Sequence, residues 1–348
     1  MTRLDVEPVA ETLDSEHHEP ASGPRALLLE SRAVPLGGVR AMEVRRALPQ
    51  RDLPMVGAWC FLDRFGPQVT RMRVEPHPHI GLQTVTWPFV GEVHHRDSID
   101  SDVVVRRGAL NIMTSGAGIS HSEYSVGDDA VPLDALQLWV ALPDARRAGP
   151  PAFERHEQLP RLALGTAAGT GTAAGTGRSS TTGGGGEAIV VLGEFAGVAS
   201  PATAYTPIVG AELRIPAGGR VRVPLRADWE YALAGVEGVG TVDSGEAAAS
   251  VPVDAHHLLY LGTERDEIVV GAQGDADAVV FLLGGEPFED DIVMWWNFVA
   301  RTHDEIVEAR DAWEQGSARF GHVVGHGDER VPAPPLPAVR LTRRRRRV

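Results

Sequence analysis

The chain contains two strand-rich blocks of similar length, and this repetition limits the architectures open to it. The first block runs from Ala26 to Ala141 and the second from Ala188 to Leu283. Each consists of short apolar runs separated by Gly, Asp and Ser, such as LQTVTWPFV in the first and AVVFLLGG in the second. Several short strands with frequent turn residues are typical of β-sandwiches and β-barrels. The sequence therefore predicts an all-β protein with a duplicated β-domain.

The segments outside these blocks have different compositions. Residues 165–187 are rich in Gly, Thr, Ala and Ser and cannot bury a core, which predicts a flexible linker. Residues 1–24 are polar and acidic, which predicts a disordered tail. Near the other end, Thr302 and Glu305 have the spacing of a capping box, and apolar residues at helical spacing continue towards Gly316. We therefore expect one helix of about three turns there.

Charge and hydropathy exclude several classes of protein. The formal net charge is −14, so the body of the chain is not expected to bind nucleic acid. The five arginines at 343–347 are expected to form a solvated tail. No apolar run is long enough to cross a membrane, and the acidic N-terminus lacks the apolar core of a secretory signal. A single cysteine, Cys60, excludes an internal disulfide, and together these features favour the cytoplasm.

Two short motifs in the first block carry the strongest chemical signal. They are HPH at 77–79 and HSE at 121–123. In each motif two metal-ligand side chains stand at i and i+2, which lie on the same face of a β-strand. Three imidazoles and one carboxylate suit a divalent first-row transition metal, and four ligands leave two octahedral positions open for substrate. The spacing alone also fits histidines on a solvent-facing strand.

Longer motifs around these dyads resemble the pirin family. The resemblance extends from Ala26 to Gly321 without the Gly/Thr-rich segment. Its motifs are FLDRFG (61–66), EPHPHIGLQTVTW (75–87), GEVHHRDS (91–98), MTSGAGISHSE (113–123), LGGEPF (283–288) and IVMWWNFV (292–299).

The resemblance implies a bicupin, in which two antiparallel β-barrels of the double-stranded β-helix type face each other and a C-terminal helix closes the fold. It implies one metal in the N-terminal barrel, with Fe(II) the first choice and Mn, Ni, Cu or Zn as alternatives. The adjacent pair His256-His257 in the second block cannot form an i, i+2 dyad, which agrees with a metal-free second barrel. The metal ligands carried over from the family are His77, His79, His121 and Glu123.

The domain boundaries expected from this resemblance divide the chain into five parts. They are a disordered tail (1–24), an N-terminal metal-binding cupin domain (25–150), a linker with the Gly/Thr-rich insert (151–186), a C-terminal cupin domain with the closing helix (187–330) and a Pro/Arg-rich tail (331–348).

The resemblance also implies an activity, because some bacterial members are quercetin 2,3-dioxygenases that open a flavonol ring with O2. The expected partners are then a small aromatic substrate and O2. Related sequences commonly carry Glu where this chain has Gln83, which cannot act as a base. The candidates to accept the substrate's hydroxyl proton are therefore Glu123, His95 or water. His95 is expected either to contact a metal ligand or to be an ordinary hydrogen-bonded strand histidine.

A second function remains open at this point. Some family members are described as transcription cofactors, so the chain is alternatively a metal-bound regulatory protein or redox sensor without turnover, acting through a protein partner. A hydrolase is not expected, because Ser122 has no Asp–His arrangement beside it in the sequence.

Overall fold

The computed structural model describes residues 23–36, 42–167, 185–245 and 250–343. These residues form 25 β-strands, one α-helix and one short 3-10 helix, which confirms the all-β prediction with a single C-terminal helix. The expectations for residues 1–22, for most of the Gly/Thr-rich segment and for arginines 344–347 lie outside the described residues. Within the described part of the chain, no helix is long and apolar enough to span a membrane.

The N-terminal barrel consists of two antiparallel sheets. The seven-stranded sheet has the order β12-β9-β6-β11-β4-β3-β2, and the four-stranded sheet has the order β5-β10-β7-β8. The first strands of the chain are β1 (Pro24–Glu30), β2 (Arg32–Leu36), β3 (Met42–Leu48), β4 (Trp59–Thr70), β5 (Arg73–His79), β6 (Leu82–Val90), β7 (Glu92–Asp97), β8 (Asp102–Arg106), β9 (Leu110–Thr114), β10 (Ile119–Ser125), β11 (Val131–Ala141) and β12 (Ala152–His156).

The two sheets face each other because each has an apolar inner side. At one end, Val44 and Phe65 of the seven-stranded sheet pack against Val93 and Val105 of the four-stranded sheet. In β7 the burial alternates residue by residue, as expected for a strand with one face towards a barrel interior. The other part of this interior is polar and holds the histidines described below.

The C-terminal barrel is built in the same way. Its larger sheet has the order β1-β21-β18-β23-β16-β14-β13 with β15 beside β14, and its smaller sheet has the order β17-β22-β19-β20. Its strands are β13 (Arg161–Ala163), β14 (Glu187–Phe195), β15 (Val198–Ala199), β16 (Ile208–Ile215), β17 (Arg220–Pro224), β18 (Glu230–Glu237), β19 (Gly240–Asp243), β20 (Val251–Val253), β21 (His257–Gly262), β22 (Glu267–Ala272) and β23 (Ala278–Gly285).

The chain crosses from one barrel to the other between its first two described strands. β1 pairs with β21, so the first described residues lie in the sheet of the C-terminal barrel. The domain boundaries given above stay predictions, but this pairing ties the two barrels together through the main chain. The interior of the C-terminal barrel is packed with apolar side chains such as Val190, Leu213 and Leu259.

The barrels pack together through the outer faces of their larger sheets. Trp59 and Trp87 are both buried in this interface. The Trp59 indole donates to the carbonyl of Val209 at 2.9 Å, and the Trp87 indole donates to the carboxylate of Glu212 at 2.9 Å. Both indole donors are therefore paired across the interface, as buried polar groups require.

The C-terminal elements cover one side of the N-terminal barrel. They are the hairpin β24 (Val293–Trp295) and β25 (Phe298–Ala300), the helix α1 (His303–Glu314) and the 3-10 helix Ala318–Phe320. The Thr302 hydroxyl accepts from the Glu305 amide at 3.2 Å, which confirms Thr302 as the N-cap predicted from the sequence. The Glu305 carboxylate accepts from the Arg301 amide at 2.9 Å, one residue before the position that a capping box requires. Helix α1 ends before Gly316, whose φ is +65°.

Replacing Gly81 with alanine is expected to destabilise the protein by more than about 2 kcal/mol. Gly81 has φ +69°, and a Cβ there would lie 2.0 Å from the Val299 carbonyl oxygen. Gly108 is a matched control, because it has φ +82° with nothing within 4 Å of the added Cβ. Gly108→Ala should cost only about 1 kcal/mol for the left-handed backbone. Denaturant unfolding measures both, and equal losses would contradict the close packing of β25 on this turn.

Candidate metal centre

The two histidine motifs lie on neighbouring strands of the four-stranded sheet. His77 and His79 are on β5, and His121 on β10 lies directly opposite His77. One nitrogen from each of the three imidazoles lies within 4.8 Å of the others. All three side chains are buried. The i, i+2 spacing therefore does bring the histidines onto one face, and that face is the barrel interior.

Main-chain carbonyls fix the orientation of two of these rings. The Nδ1 of His77 lies 2.9 Å from the carbonyl oxygen of Glu75, and the Nδ1 of His79 lies 3.2 Å from the carbonyl oxygen of Asn297. A carbonyl oxygen only accepts, so each Nδ1 carries the proton and each Nε2 keeps its lone pair. Such contacts are the usual means of orienting a metal-ligating histidine.

The third imidazole, that of His121, lies between His79 and a further histidine, His95. Its Nε2 lies 3.1 Å from Nε2 of His79, and its Nδ1 lies 3.3 Å from Nδ1 of His95. The other nitrogen of His95 lies 3.2 Å from a carboxylate oxygen of Asp97. A chain of contacts thus runs from His121 through His95 to the buried carboxylate of Asp97. This chain fits the expectation that His95 contacts a metal ligand.

Glu123, the fourth predicted ligand, belongs to a second group of potential ligands together with His121 and His95. A carboxylate oxygen of Glu123 and one nitrogen each of His121 and His95 lie within 4.8 Å of one another. Among the described residues, the four predicted ligands are not all within that distance of one another. The Thr86 hydroxyl on β6 lies 3.1 Å from this carboxylate and 3.0 Å from the amide oxygen of Gln137. The structure therefore brings the three histidines together and holds the carboxylate next to them.

Burial sets the protonation of this cluster. It lowers the pKa of His77 to about 4 and lowers the pKa of His79 and of His121 well below the ordinary value. Burial also raises the pKa of Glu123. Neutral imidazoles are the form that binds metal, and a carboxylate with a raised pKa is a better proton acceptor. The donor set therefore fits a divalent transition metal without further deprotonation of the histidines near neutral pH.

In the metal-free chain, we expect the free energy of unfolding to fall as the pH is lowered from about 6.5 towards 4. The imidazoles of the unfolded chain bind protons near pH 6.5, whereas His77 in the folded chain does so only near pH 4. Because the unfolded state binds more protons in this interval, the stability present above it is lost as the pH falls. Urea unfolding of chelator-treated protein across the interval measures the loss.

The His77→Gln variant is the control for this titration, because it removes one of the imidazoles that must stay neutral. Its stability should fall less over the same interval than that of the unaltered chain. A metal-free protein whose stability is constant or rises on acidification would contradict the buried, neutral histidines.

Gln83 does not face the histidine cluster. Its side-chain amide donates to the Thr114 hydroxyl at 3.0 Å and to the carbonyl of Thr203, in the C-terminal barrel, at 3.1 Å. Its neighbours Thr84 and Thr86 lie on the opposite face of β6, because side chains alternate along a strand. Glutamine in place of glutamate at position 83 therefore removes no base from the face that carries the histidine cluster in this chain.

The outer face of the ligand-bearing strands carries a cluster that the sequence did not reveal. His326 lies 2.9 Å from the Ser122 hydroxyl and 3.0 Å from the Tyr124 hydroxyl. Tyr124 also donates to the carboxylate of Glu75, which a bulge in β5 turns outwards. The segment that carries His326 follows β5, with the Val331 amide donating to the Pro76 carbonyl at 2.8 Å. Ser122 therefore has a histidine partner, His326, although the sequence shows none beside it. Both residues are buried beneath this segment, on the face of the ligand-bearing strands that is turned away from the histidine cluster.

Comparison with known proteins matches both halves of the chain. The family model Pirin matches residues 41–140, and the model of the Pirin C-terminal cupin domain matches residues 210–321. A Pseudomonas aeruginosa protein named "Putative quercetin 2,3-dioxygenase" is 40% identical over 311 residues, which cover 88% of this chain and 89% of that protein. A "Pirin-like protein" of Caulobacter vibrioides is 31% identical over 318 residues, which cover 88% of this chain and 99% of that protein.

A solved structure supports the same relationship. The quercetin 2,3-dioxygenase from Acinetobacter baumannii has a TM-score of 0.77 and 36% identity, over 91% of this chain and 97% of that one. Together with the two family models, this similarity confirms the two-barrel fold expected from the sequence motifs.

Proposed function

Because the chain belongs to the pirin family, we propose that it is a metal-dependent dioxygenase that opens the ring of a flavonol such as quercetin with O2. The observation that carries this proposal is the convergence of His77, His79 and His121, two of which direct an unprotonated Nε2 inwards. The names of the Pseudomonas and Acinetobacter relatives supply the substrate class.

The proposed cofactor is one divalent metal held by His77, His79, His121 and Glu123. Iron(II) is the first choice for this mixed nitrogen and oxygen set, and Mn, Ni, Cu and Zn are the alternatives. When bound, such a metal supplies Lewis-acid stabilisation of the deprotonated flavonol hydroxyl and the redox chemistry that O2 requires.

The chain's own residues supply positioning and proton transfer. Glu123 is the proposed acceptor of the substrate's hydroxyl proton, because burial raises its pKa and Thr86 orients its carboxylate. His95 has a positioning role in this proposal, since it lies between His121 and Asp97. Aromatic rings border the cluster on two sides, with Trp139 at 5.2 Å from the His79 ring and Phe153 at 4.7 Å from the His95 ring. These rings give the cluster an apolar border, which suits a planar aromatic substrate.

Anaerobic and aerobic incubation of the iron-loaded protein with quercetin tests the proposal. We expect loss of the flavonol absorbance only when O2 is present, with one carbon monoxide released for each flavonol consumed. Metal-stripped protein is the control and should leave the absorbance unchanged. If no metal of the series supports turnover, the dioxygenase proposal is wrong, and the regulatory function considered from the sequence takes its place.

A further inference from the structure

A row of polar side chains crosses the seven-stranded sheet on the face directed at the histidine cluster. Successive members lie directly opposite one another on adjacent strands. The link between Thr86 and Glu123 shows that this row faces the candidate metal centre. In spatial order the row comprises Arg46, Asp63, Gln137, Thr86, Asn111 and Arg155.

Asn111 differs from the other members of this row. Arg46 and Asp63 form a two-point ion pair, and Thr86 lies in hydrogen-bond contact with Gln137. Arg155 pairs with Glu157 through Nη2, although its Nε has no hydrogen-bond partner among the described residues. The Asn111 side chain is 2% exposed, yet neither its amide nitrogen nor its amide oxygen has a hydrogen-bond partner among the described residues. Both ends of the amide are thus left open, whichever way the group is turned.

An unpaired amide in this position is costly for the fold alone. Leaving a buried donor or acceptor unsatisfied destabilises the folded state, and apolar residues pack the opposite face of the same strand. A leucine in place of Asn111 would avoid that cost. A buried amide that the fold does not satisfy therefore points to a polar group that reaches it from outside the chain.

The adjacent row indicates what kind of molecule carries that group. Two residues further along the strands, a second row shares the same face and comprises Phe61, Trp139, Thr84, Met113 and Phe153. In this row Trp139 borders His79 and Phe153 borders His95. Two strand residues span about 7 Å. A planar aromatic substrate beside the histidines would thus present a ring substituent to Asn111 about one ring width away.

We propose that Asn111 is a specificity-determining residue that hydrogen-bonds a phenolic hydroxyl of the substrate, on a part of the molecule remote from the group bound at the histidines. This inference rests on the proposed function and narrows it, because it selects flavonols with additional ring hydroxyls over unsubstituted ones. The amide both donates and accepts, so it satisfies a phenol in either orientation.

Equilibrium binding under anaerobic conditions tests the assignment without turnover. The metal-loaded protein is titrated with quercetin and with 3-hydroxyflavone, which lacks the additional hydroxyls, and the Kd of each is measured by fluorescence. Asn111→Leu is expected to weaken quercetin binding about tenfold or more and to change 3-hydroxyflavone binding less than about twofold. Thr114→Val is the matched control, since Thr114 lies on the opposite face of the same strand, and it should change neither Kd.

Thermal unfolding separates a binding role from a structural one. If Asn111 serves the substrate, Asn111→Leu should keep or raise the Tm and retain the bound metal. A clear loss of Tm would assign the amide to the fold and overturn the inference. If the unaltered protein binds both flavonols and Asn111→Leu weakens both equally or neither, the assignment of Asn111 alone is wrong. If the unaltered protein binds neither compound, the flavonol function itself fails, and the role of Asn111 fails with it.

Discussion

His121→Ala is expected to remove almost all of the bound metal. The imidazole of His121 is the shared member of both groups of potential ligands in the described part of the chain, and its Nε2 lies 3.1 Å from that of His79. Loss of a supporting residue near a metal typically reduces affinity 10- to 100-fold, and loss of a ligand in the first coordination sphere should exceed that. Elemental analysis of protein purified without added metal gives the metal content per chain.

The matched control for this variant is His256→Ala. His256 is exposed on a turn of the C-terminal barrel and belongs to neither group of potential ligands. Its removal should leave the metal content unchanged. A second measurement is thermal stability with and without added metal, because a ligand present at about 1,000 times its Kd stabilises the folded state by about 4 kcal/mol. Metal retained in full by His121→Ala would show that the histidine cluster is not the binding site.

The strands and the C-terminal helix could be predicted from the residues, because their signals are local, whereas the two-barrel arrangement was implied by the resemblance to the pirin family. Short apolar runs separated by turn residues gave the strands, and the spacing of Thr302 and Glu305 gave the start of the helix. The pairing of β1 with the C-terminal barrel could not be predicted in this way. The sequence of an edge strand does not identify the strand with which it pairs, because the backbone hydrogen bonds between strands are the same for any partner strand.

The candidate site was predictable only where it depends on strand periodicity. The i, i+2 spacing placed His77 and His79 on one face, and alternation also separates Gln83 from its neighbours on β6. Periodicity does not say which of the two faces of β6 is directed inwards, and so it could not show that Gln83 faces away from the histidines. The partners of the ligands lie far along the chain, as with the carbonyl of Asn297 and the ring of His326. No sequence spacing relates such residues, because tertiary packing alone brings them together.

Glu123→Gln is expected to lower the rate of flavonol turnover by about two to four orders of magnitude, the usual contribution of a general base. Glutamine keeps the size of the side chain and one oxygen that can contact Thr86 and a metal, but it cannot accept the substrate proton. The rate is measured at saturating iron and quercetin, with the metal content determined on the same samples. Glu75→Gln is the matched control, because Glu75 lies on the outer face bonded to Tyr124 and should change the rate only a few-fold.

The pH dependence of the rate identifies the base independently of its magnitude. A base must be deprotonated to act, so the rate should decline as the pH falls through the pKa of Glu123 in the metal-loaded protein. In Glu123→Gln this acid limb should disappear, because the group that titrates is no longer present. If the variant instead keeps the acid limb and most of the rate, then Glu123 is not the base, and the proton passes to His95 or to water.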